Sequence, residues 1–296
     1  MNRRIKTPFL FLIPAFLLLV LFVFYPIVDT IYMSFIDQDG NFVWLGNYEN
    51  VFGRRLYPLV NTNNVLLGKF PMGALIHNIF WITIHLPLCV FFGLLLAVIL
   101  RDVKGGSIIK SVIFLGMVIP MIVGGVLVRF ILDIDAGMAN GILRAVGLGA
   151  FATDWTFYPN TALVTAILGS VWIWTGFAMI VYSAGLEGIP VEIYEAAKID
   201  GASRWKIFWR ITVPMLKFAT ITVVTMTLLW ELKIFDIIYI VTNGGPGGSS
   251  DVMAFRMYIE SFQLPYNYGT ASAIATILTI MTFGFAAYMV NRMTKS

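Results

Sequence analysis

Long apolar runs separated by short polar intervals dominate the pattern of this chain. Residues 70–100 and 155–186 contain no Asp, Glu, Lys or Arg, and similar apolar runs recur elsewhere. A helix needs roughly 20 apolar residues to cross about 30 Å of hydrocarbon. The pattern therefore predicts an all-α integral membrane protein, a single domain over residues 1–296. Its six transmembrane helices are expected at about 8–32, 76–100, 110–131, 162–185, 214–241 and 268–290.

The first apolar run, from Pro8 to Val28, follows three basic residues, Arg3, Arg4 and Lys6. A secretory signal peptide is the rival interpretation, but the apolar region of such a peptide is typically only about 7–15 residues long. This run is longer and lacks a convincing small-residue cleavage site. We therefore expect an uncleaved first span.

Composition supports a membrane protein and argues against a nucleic-acid binder. Hydrophobic residues make up 59% of the chain and charged residues 12%, and the mean hydropathy is +0.84. The formal net charge is +4, which could suggest nucleic acid as a partner. The basic residues instead follow the predicted topology, because 13 of the 20 fall in segments that share one side with the N-terminus and five fall on the other. The positive-inside rule places both termini and the loop 186–213 in the cytoplasm.

The interval Leu186–Pro214 is the longest polar stretch between two strongly apolar segments in the second half of the chain. It predicts two short helices. Pro190 suits a first helical position, Gly201 suits a helix stop because glycine accepts the left-handed conformation, and Ser203 suits the next N-cap. A helix lying in the headgroup layer explains the aromatic and basic residues of the second helix. It does not explain the small residues of the first helix, which are what close approach of another protein requires.

The same interval resembles the cytoplasmic loop motif of binding-protein-dependent ABC importer permeases. The resemblance is carried by Glu195-Ala196-Ala197, by Asp200-Gly201-Ala202 and by an aromatic and basic run that ends in Ile211-Thr212-Val213-Pro214. Two further stretches are similar to the carbohydrate branch, which includes maltose, trehalose and glycerol-phosphate importers. They are Leu186-Glu187-Gly188-Ile189-Pro190 and Asn243-Gly244-Gly245-Pro246-Gly247-Gly248-Ser249. The hydropathy pattern matches along nearly the whole chain.

The resemblance implies the type I importer fold, in which residues 191–200 form a coupling helix docked on an ATPase subunit. The residues expected to make that contact are Glu195, Ala196, Ala197, Asp200, Gly201 and Ala202. It also implies a complex in a prokaryotic cell membrane, with a second, related permease chain, two ATP-binding subunits and an extracytoplasmic solute-binding protein. ATP and Mg would be bound by the partner ATPase subunits. This chain has no G-x-x-x-x-G-K-[ST] motif and is expected to hold no cofactor.

The implied substrate is a sugar, such as the disaccharides trehalose or maltose or an oligosaccharide, with glycerol 3-phosphate as the alternative. Sugars are commonly held by aromatic faces and hydrogen-bonding side chains. Membrane aromatic belts, helix packing and snorkelling explain the same residue types, so the choice among them stays open. The candidates for the substrate path are Asn78, Trp172, Trp174, Trp230, Glu231, Asp236, Tyr239 and Asn243.

No combination of residues indicates catalysis or a metal site. His77 and His85 lie eight residues apart with no carboxylate nearby in sequence, so we expect a packed or weakly polar role for both. Cys89 is the only cysteine, and we expect it to be a packing residue. Lys233 and Asp236, at i and i+3 spacing, could pair with each other. Two rival functions stay open: a secondary transporter driven by an ion gradient, and an export-type or structural membrane protein whose polar loop lies on the bilayer.

Overall fold

The computed structural model describes residues 6–54 and 57–294, with side chains described from residue 11 onward. Arg3, Arg4, Arg55 and Lys295, which contribute to the orientation argument, lie outside the described residues. The regular secondary structure of the described chain is helical, as predicted, apart from one isolated antiparallel bridge between Ile36 and Phe42.

The α-helices of the described residues follow one another along the chain, joined by short turns and a few irregular helical segments. In order, they are α1 (Lys6–Leu19), α2 (Tyr25–Met33), α3 (Gly46–Gly53), α4 (Thr62–Leu67), α5 (Ala74–Ile99), α6 (Gly106–Val118), α7 (Met121–Ile131), α8 (Met138–Ala145), α9 (Pro159–Glu187), α10 (Val191–Ile199), α11 (Arg204–Ile207), α12 (Val213–Met215), α13 (Lys217–Glu231), α14 (Asp236–Val241), α15 (Met253–Phe262) and α16 (Tyr268–Thr294). Single π-helical segments join α1 to α2 (Val20–Phe24) and α11 to α12 (Phe208–Thr212).

Four helical stretches of the described chain are long and apolar enough to cross a membrane: Phe11–Met33, α5, α9 and α16. Two further candidates are bent pairs of helices. The axes of α6 and α7 meet at 101°, and the run Arg204–Met215 meets α13 at 63°. The number of spans is therefore four, or up to six if each bent pair is one span. The sequence predicted six.

The predicted spans 110–131 and 214–241 are not continuous helices in the structure. The first turns at Ile119, which is extended (φ −69°, ψ 132°) immediately before Pro120, because a following proline disfavours the helical region. The second is interrupted twice: at Leu216, between α12 and α13, and again between the end of α13 and the start of α14 at Asp236.

The described chain forms two compact units, Met1–Pro58 with Arg256–Ile280, and Leu59–Phe255 with Met281–Ser296. In the first unit, the buried Asn47 amide donates to the carbonyls of Ser34 (3.0 Å) and Ile36 (2.8 Å) and ties α3 to the end of α2. Glu260 accepts from the guanidinium groups of Arg54 and Arg256. These polar contacts hold the segments of this unit together.

The core of the second unit lies between α5 and α9, whose small residues let the backbones approach closely. A Cβ at Gly93 on α5 would collide with the Ala178 side chain on α9. A Cβ at Gly176 would lie only 3.0 Å from the Phe114 Cα on α6. Small residues at such crossings are typical of helices packed within membranes, where van der Waals contact drives association. The packing places α9 at the centre of its unit.

Candidate functional site

Helix α10, which contains the predicted coupling residues, is anchored by one face and exposed on the other. The Tyr194 ring stacks against Arg101, with 4.9 Å between the guanidinium carbon and the ring centroid. The Tyr194 hydroxyl lies 3.3 Å from the Thr212 hydroxyl. Ala197, on the anchored face, is 8% exposed, whereas Ile199 is 87% exposed. The short helix is therefore fixed to its own chain and still presents an apolar side chain outward.

The turn after α10 is a Schellman motif, the pattern that closes helices with a left-handed residue. Gly201 has φ +74°. Its amide donates to the Lys198 carbonyl, and the Ala202 amide donates to the Ala197 carbonyl, both at 3.0 Å. These bonds satisfy carbonyls that the helix end leaves free. The stop predicted at Gly201 is confirmed.

The next helix begins where the sequence predicted, because the Ser203 hydroxyl accepts from the Lys206 amide at 3.3 Å. Its aromatic residues Trp205 and Trp209 are exposed and pack edge to face, with 5.6 Å between ring centroids. The helical run continues to Met215, one residue beyond the predicted end at Pro214. Leu186–Pro214 therefore forms a helix–turn–helix segment.

The six predicted coupling residues are not equivalent in the structure. Glu195, Ala196, Asp200 and Gly201 are exposed, and Ala202 is half-buried. Ala197 is instead packed against its own chain. The surface that another protein could touch is therefore formed by the exposed residues, together with the apolar Val191 and Ile199 at the two ends of α10. We call this surface the α10 face.

The break between α13 and α14 is held by Asn78 of α5, which is 1% exposed. Its amide nitrogen donates to the Glu231 carbonyl at 3.2 Å, and its side-chain oxygen accepts from the Met253 amide at 2.8 Å. One side chain thus satisfies a carbonyl at the end of α13 and an amide at the start of α15. The side chain of Asn78, a substrate-path candidate, therefore already has backbone partners for both its amide nitrogen and its oxygen.

Glu231, another candidate, is 2% exposed and lies against His85 of α5, with 2.6 Å between Oε1 and Nδ1. The sequence suggested no partner for His85, because the two residues are 146 positions apart. An intramembrane carboxylate is a signal for a functional or paired group, so the pairing of Glu231 could have been suspected, but not with which residue. His77 is also satisfied, since its Nδ1 donates to the Asp251 carbonyl and its Nε2 accepts from the Met72 amide.

Half-buried aromatic rings meet where α9 and α13 pack together. The Trp230 ring lies 4.1 Å from Trp174 and 5.3 Å from Phe177, measured between centroids. Trp172, two residues from Trp174, is on another face of α9. It is 40% exposed and packs against Gly116 of α6. The structure thus brings Trp174 and Trp230 together and leaves Trp172 apart.

The remaining candidates lie on or beside α14. Tyr239 is 37% exposed and stacks on Phe235, with 5.4 Å between centroids. Asn243 adopts φ 49° and donates its amide to the Ile238 carbonyl at 2.8 Å, which ends the helix and leaves its side chain exposed. Asp236 occupies the first turn of α14, where an acidic group is favoured. Within the described part of the chain, no ion pair joins Lys233 and Asp236.

Several helices long and apolar enough to cross a membrane, with an exposed helix–turn–helix segment between two of them, indicate a multi-pass membrane protein. The chain belongs to the family described as binding-protein-dependent transport system inner membrane component, whose model matches residues 89–295. It is therefore a membrane permease.

Relatives along almost the full length agree with this assignment. A probable ABC transporter permease protein of Pyrococcus horikoshii is 51% identical over 293 residues, which are 98% of this chain and 99% of that protein. The alpha-glucoside transport system permease protein of Rhizobium meliloti is 36% identical and is aligned with 99% of this chain and 85% of its own length.

The fold is also that of a solved importer. A bacterial ABC transporter involved in the import of alginate superimposes with a TM-score of 0.80, at 20% identity, covering 99% of this chain and 96% of that one. At this identity the likeness concerns the fold alone.

Proposed function

We propose that this chain is a membrane-spanning subunit of an ATP-driven, binding-protein-dependent sugar importer, and that α10 couples it to a separate ATPase. The observation that carries the proposal is the α10 face. Its exposed Glu195 and Ala196 lie on a helix whose other side is fixed by Tyr194 and Ala197. A helix held in this way transmits a displacement to the helices that hold it.

The contacts of α10 define where such a displacement would go. Tyr194 touches Arg101, just beyond the end of α5, and Thr212, just before α12, which Leu216 joins to α13. Both α5 and α13 also supply residues of the buried Glu231–His85 pair. Movement of α10 by an ATPase would therefore act on the two helices that meet at the α13–α14 break.

The orientation and the assembly are part of the same proposal. Both termini and the α10 face are assigned to the cytoplasm, because the positive-inside rule favours that side. A second, related permease chain, two ATP-binding subunits and an extracytoplasmic solute-binding protein complete the complex. ATP and Mg are bound by the ATP-binding subunits.

The substrate we propose is a di- or oligosaccharide, such as trehalose or maltose. The 36% identity to an alpha-glucoside permease supports a sugar. Glycerol 3-phosphate is the alternative. For the substrate path, the contact of Trp230 with Trp174 provides aromatic faces that are not fully buried, a lining that small-molecule sites commonly have. Asp236, Tyr239 and Asn243 remain path candidates as polar groups on or beside α14.

Cysteine crosslinking tests the coupling role. In a complex produced with its ATPase, Ala196→Cys should form a crosslink with an engineered cysteine on the ATPase. Ala197→Cys, one residue away on the anchored face, is the matched control and should react at least about tenfold less. Crosslinks of equal yield at both positions, or at neither, would contradict docking through the α10 face. A Glu195→Lys chain should insert normally and lose uptake.

Uptake by reconstituted vesicles tests the substrate and the energy source. The complete complex should import labelled trehalose or maltose only with ATP and the solute-binding protein, and should do so after ion gradients are dissipated. Uptake that depends on an ion gradient would favour a secondary transporter. Uptake of glycerol 3-phosphate and of no sugar would show that glycerol 3-phosphate is the substrate. Trp230→Ala should lower sugar uptake more than Trp172→Ala. Equal losses of uptake in the two variants would contradict a substrate-path role for the Trp230–Trp174 contact.

A further inference from the structure

A cavity of about 370 Å³ opens where α5, α6 and α9 end on the side of α10. Its wall includes Arg101, Lys110, Ser183 and Glu187. Arg101 follows the end of α5, Lys110 lies in the second turn of α6, and Glu187 is the last residue of α9. The cavity therefore lies at the ends of three membrane helices, at the depth where a lipid headgroup is expected.

The charged side chains of this wall form no ion pair in the described chain, although Arg101 stacks on Tyr194. Within residues 6–54 and 57–294, neither Arg101 nor Lys110 forms an ion pair. Ser183 is 7% exposed, and its hydroxyl has no hydrogen-bond partner in the described chain. A buried hydroxyl without a partner is unusual in a folded protein. Two bases beside one carboxylate leave the wall with a net positive charge, which suits a phosphate.

The same three helices also line an apolar groove. A second cavity, of about 420 Å³, is lined by Leu96 of α5, Val112 and Ile113 of α6, and Val171 and Trp172 of α9. Leu96 is one helical turn from Leu100 of the polar cavity, and Ile113 is one turn from Lys110. A positively charged cavity followed by an apolar groove on the same helices has the polarity of a phospholipid rather than that of a free phosphate.

We propose that these two cavities form a binding site for an anionic phospholipid of the phosphatidylglycerol type. Arg101 and Lys110 bind the phosphate, Glu187 accepts a hydrogen bond from a headgroup hydroxyl, and an acyl chain occupies the groove beside Trp172. Basic pockets between transmembrane helices recognise lipid headgroups in this way. The site opens to the leaflet on the α10 side, which is the cytoplasmic leaflet under the orientation proposed above.

The site touches the proposed coupling element through Arg101, whose guanidinium also stacks on Tyr194 of α10. A planar guanidinium can present its face to an aromatic ring and its N–H edge to a phosphate at the same time. A bound lipid would therefore hold Arg101 in the position that supports α10.

Native mass spectrometry of the purified chain tests the site directly and needs no transport assay. We expect phosphatidylglycerol to bind and phosphatidylcholine, whose headgroup lacks a hydroxyl, to bind more weakly. Arg101→Gln and Lys110→Gln should each lower the affinity for phosphatidylglycerol about fivefold, and together roughly thirtyfold. Lys217→Gln is the control, because Lys217 is an exposed base at the start of α13 that does not line the cavity.

Two further measurements separate the lipid from a free phosphate and from a general charge effect. Phosphatidylglycerol with full-length chains should bind at least about tenfold more tightly than the short-chain form, since buried methylenes contribute to binding. Displacement of the lipid by millimolar inorganic phosphate would overturn the lipid assignment. An affinity loss in Lys217→Gln equal to that in Lys110→Gln, with both variants monodisperse, would overturn the site.

Discussion

Glu231 Oε1 lies 2.6 Å from His85 Nδ1, at a site where both side chains are almost completely buried. The contact joins the last residue of α13 to the middle of α5. In the described chain, the second carboxylate oxygen, Oε2, has no hydrogen-bond partner. A polar pair at this position links the helix that precedes the α13–α14 break to the neighbouring span. Replacing one of the two side chains by an apolar residue leaves the other polar group buried without a partner.

We therefore expect Glu231→Leu and His85→Leu each to lower the free energy of unfolding by about 1–3 kcal/mol. The double variant should lose less than the sum of the single losses, with a coupling energy of about 1–2 kcal/mol, because neither group is then left unpaired. Denaturant unfolding of the purified chain in detergent measures all four proteins. Strictly additive losses would show that the two side chains do not support each other.

Asn78 should be difficult to replace although it makes no ion pair. Asn78→Leu removes the bonds to the Glu231 carbonyl and the Met253 amide. Because the Met253 amide would be buried without a partner, whereas the Glu231 carbonyl would keep its 3.3 Å bond from the Ile234 amide, we expect a loss of about 1–3 kcal/mol in unfolding free energy. Asn64→Leu is a useful comparison, since Asn64 makes one such bond, to the Pro71 carbonyl, in a more exposed place. Equal losses in the two variants would contradict the role of Asn78 at the break.

The close approach of α5 and α9 can be tested with a single methyl group. A Cβ at Gly93 would collide with the Ala178 side chain, whereas nothing lies within 4 Å of a Cβ at Gly284 in α16. Gly93→Ala should therefore cost about 1–3 kcal/mol through overpacking. Gly284→Ala should be neutral or gain up to about 1 kcal/mol, because alanine is the better helix former. Thermal unfolding of both variants side by side provides the measurement.

The Schellman turn predicts a specific order of substitutions at Gly201. A Cβ there would meet no neighbour, but φ is +74°, so the cost is conformational and not steric. Gly201→Val should destabilise the turn by about 1–2 kcal/mol. Gly201→Asn should cost less, because asparagine tolerates the left-handed region.

Hydrogen exchange of the Gly201 and Ala202 amides reports the turn locally. Protection should decrease in the order Gly, Asn, Val, and uptake by the assembled complex should follow the same order. Equal protection in the Val and Asn variants would show that the left-handed conformation is not what closes α10.

The helix–turn–helix segment was predictable because its determinants are local. Pro190, Gly201 and Ser203 act on their own backbone and on residues within one helical turn, so their order along the chain specifies where helices begin and end. The prediction for Pro190 was wrong by one position, because its ψ of 134° makes it the N-cap of α10 and the first helical residue is Val191. The positions of the long apolar helices were predictable for a similar reason, since the span needed to cross a bilayer is set by the number of consecutive apolar residues.

The sequence by itself determined the membrane class, the approximate positions of the four continuous apolar helices and the α10 segment, because apolar run length and helix caps act locally. Only the tertiary structure decided that Glu231 pairs with His85, that Asn78 holds the α13–α14 break, and that Ala197 faces inward. Those outcomes depend on which helices pack against each other. Hydropathy does not contain that information, because it is summed over neighbours in sequence and not over neighbours in space. A break in an apolar segment changes its direction without changing its composition.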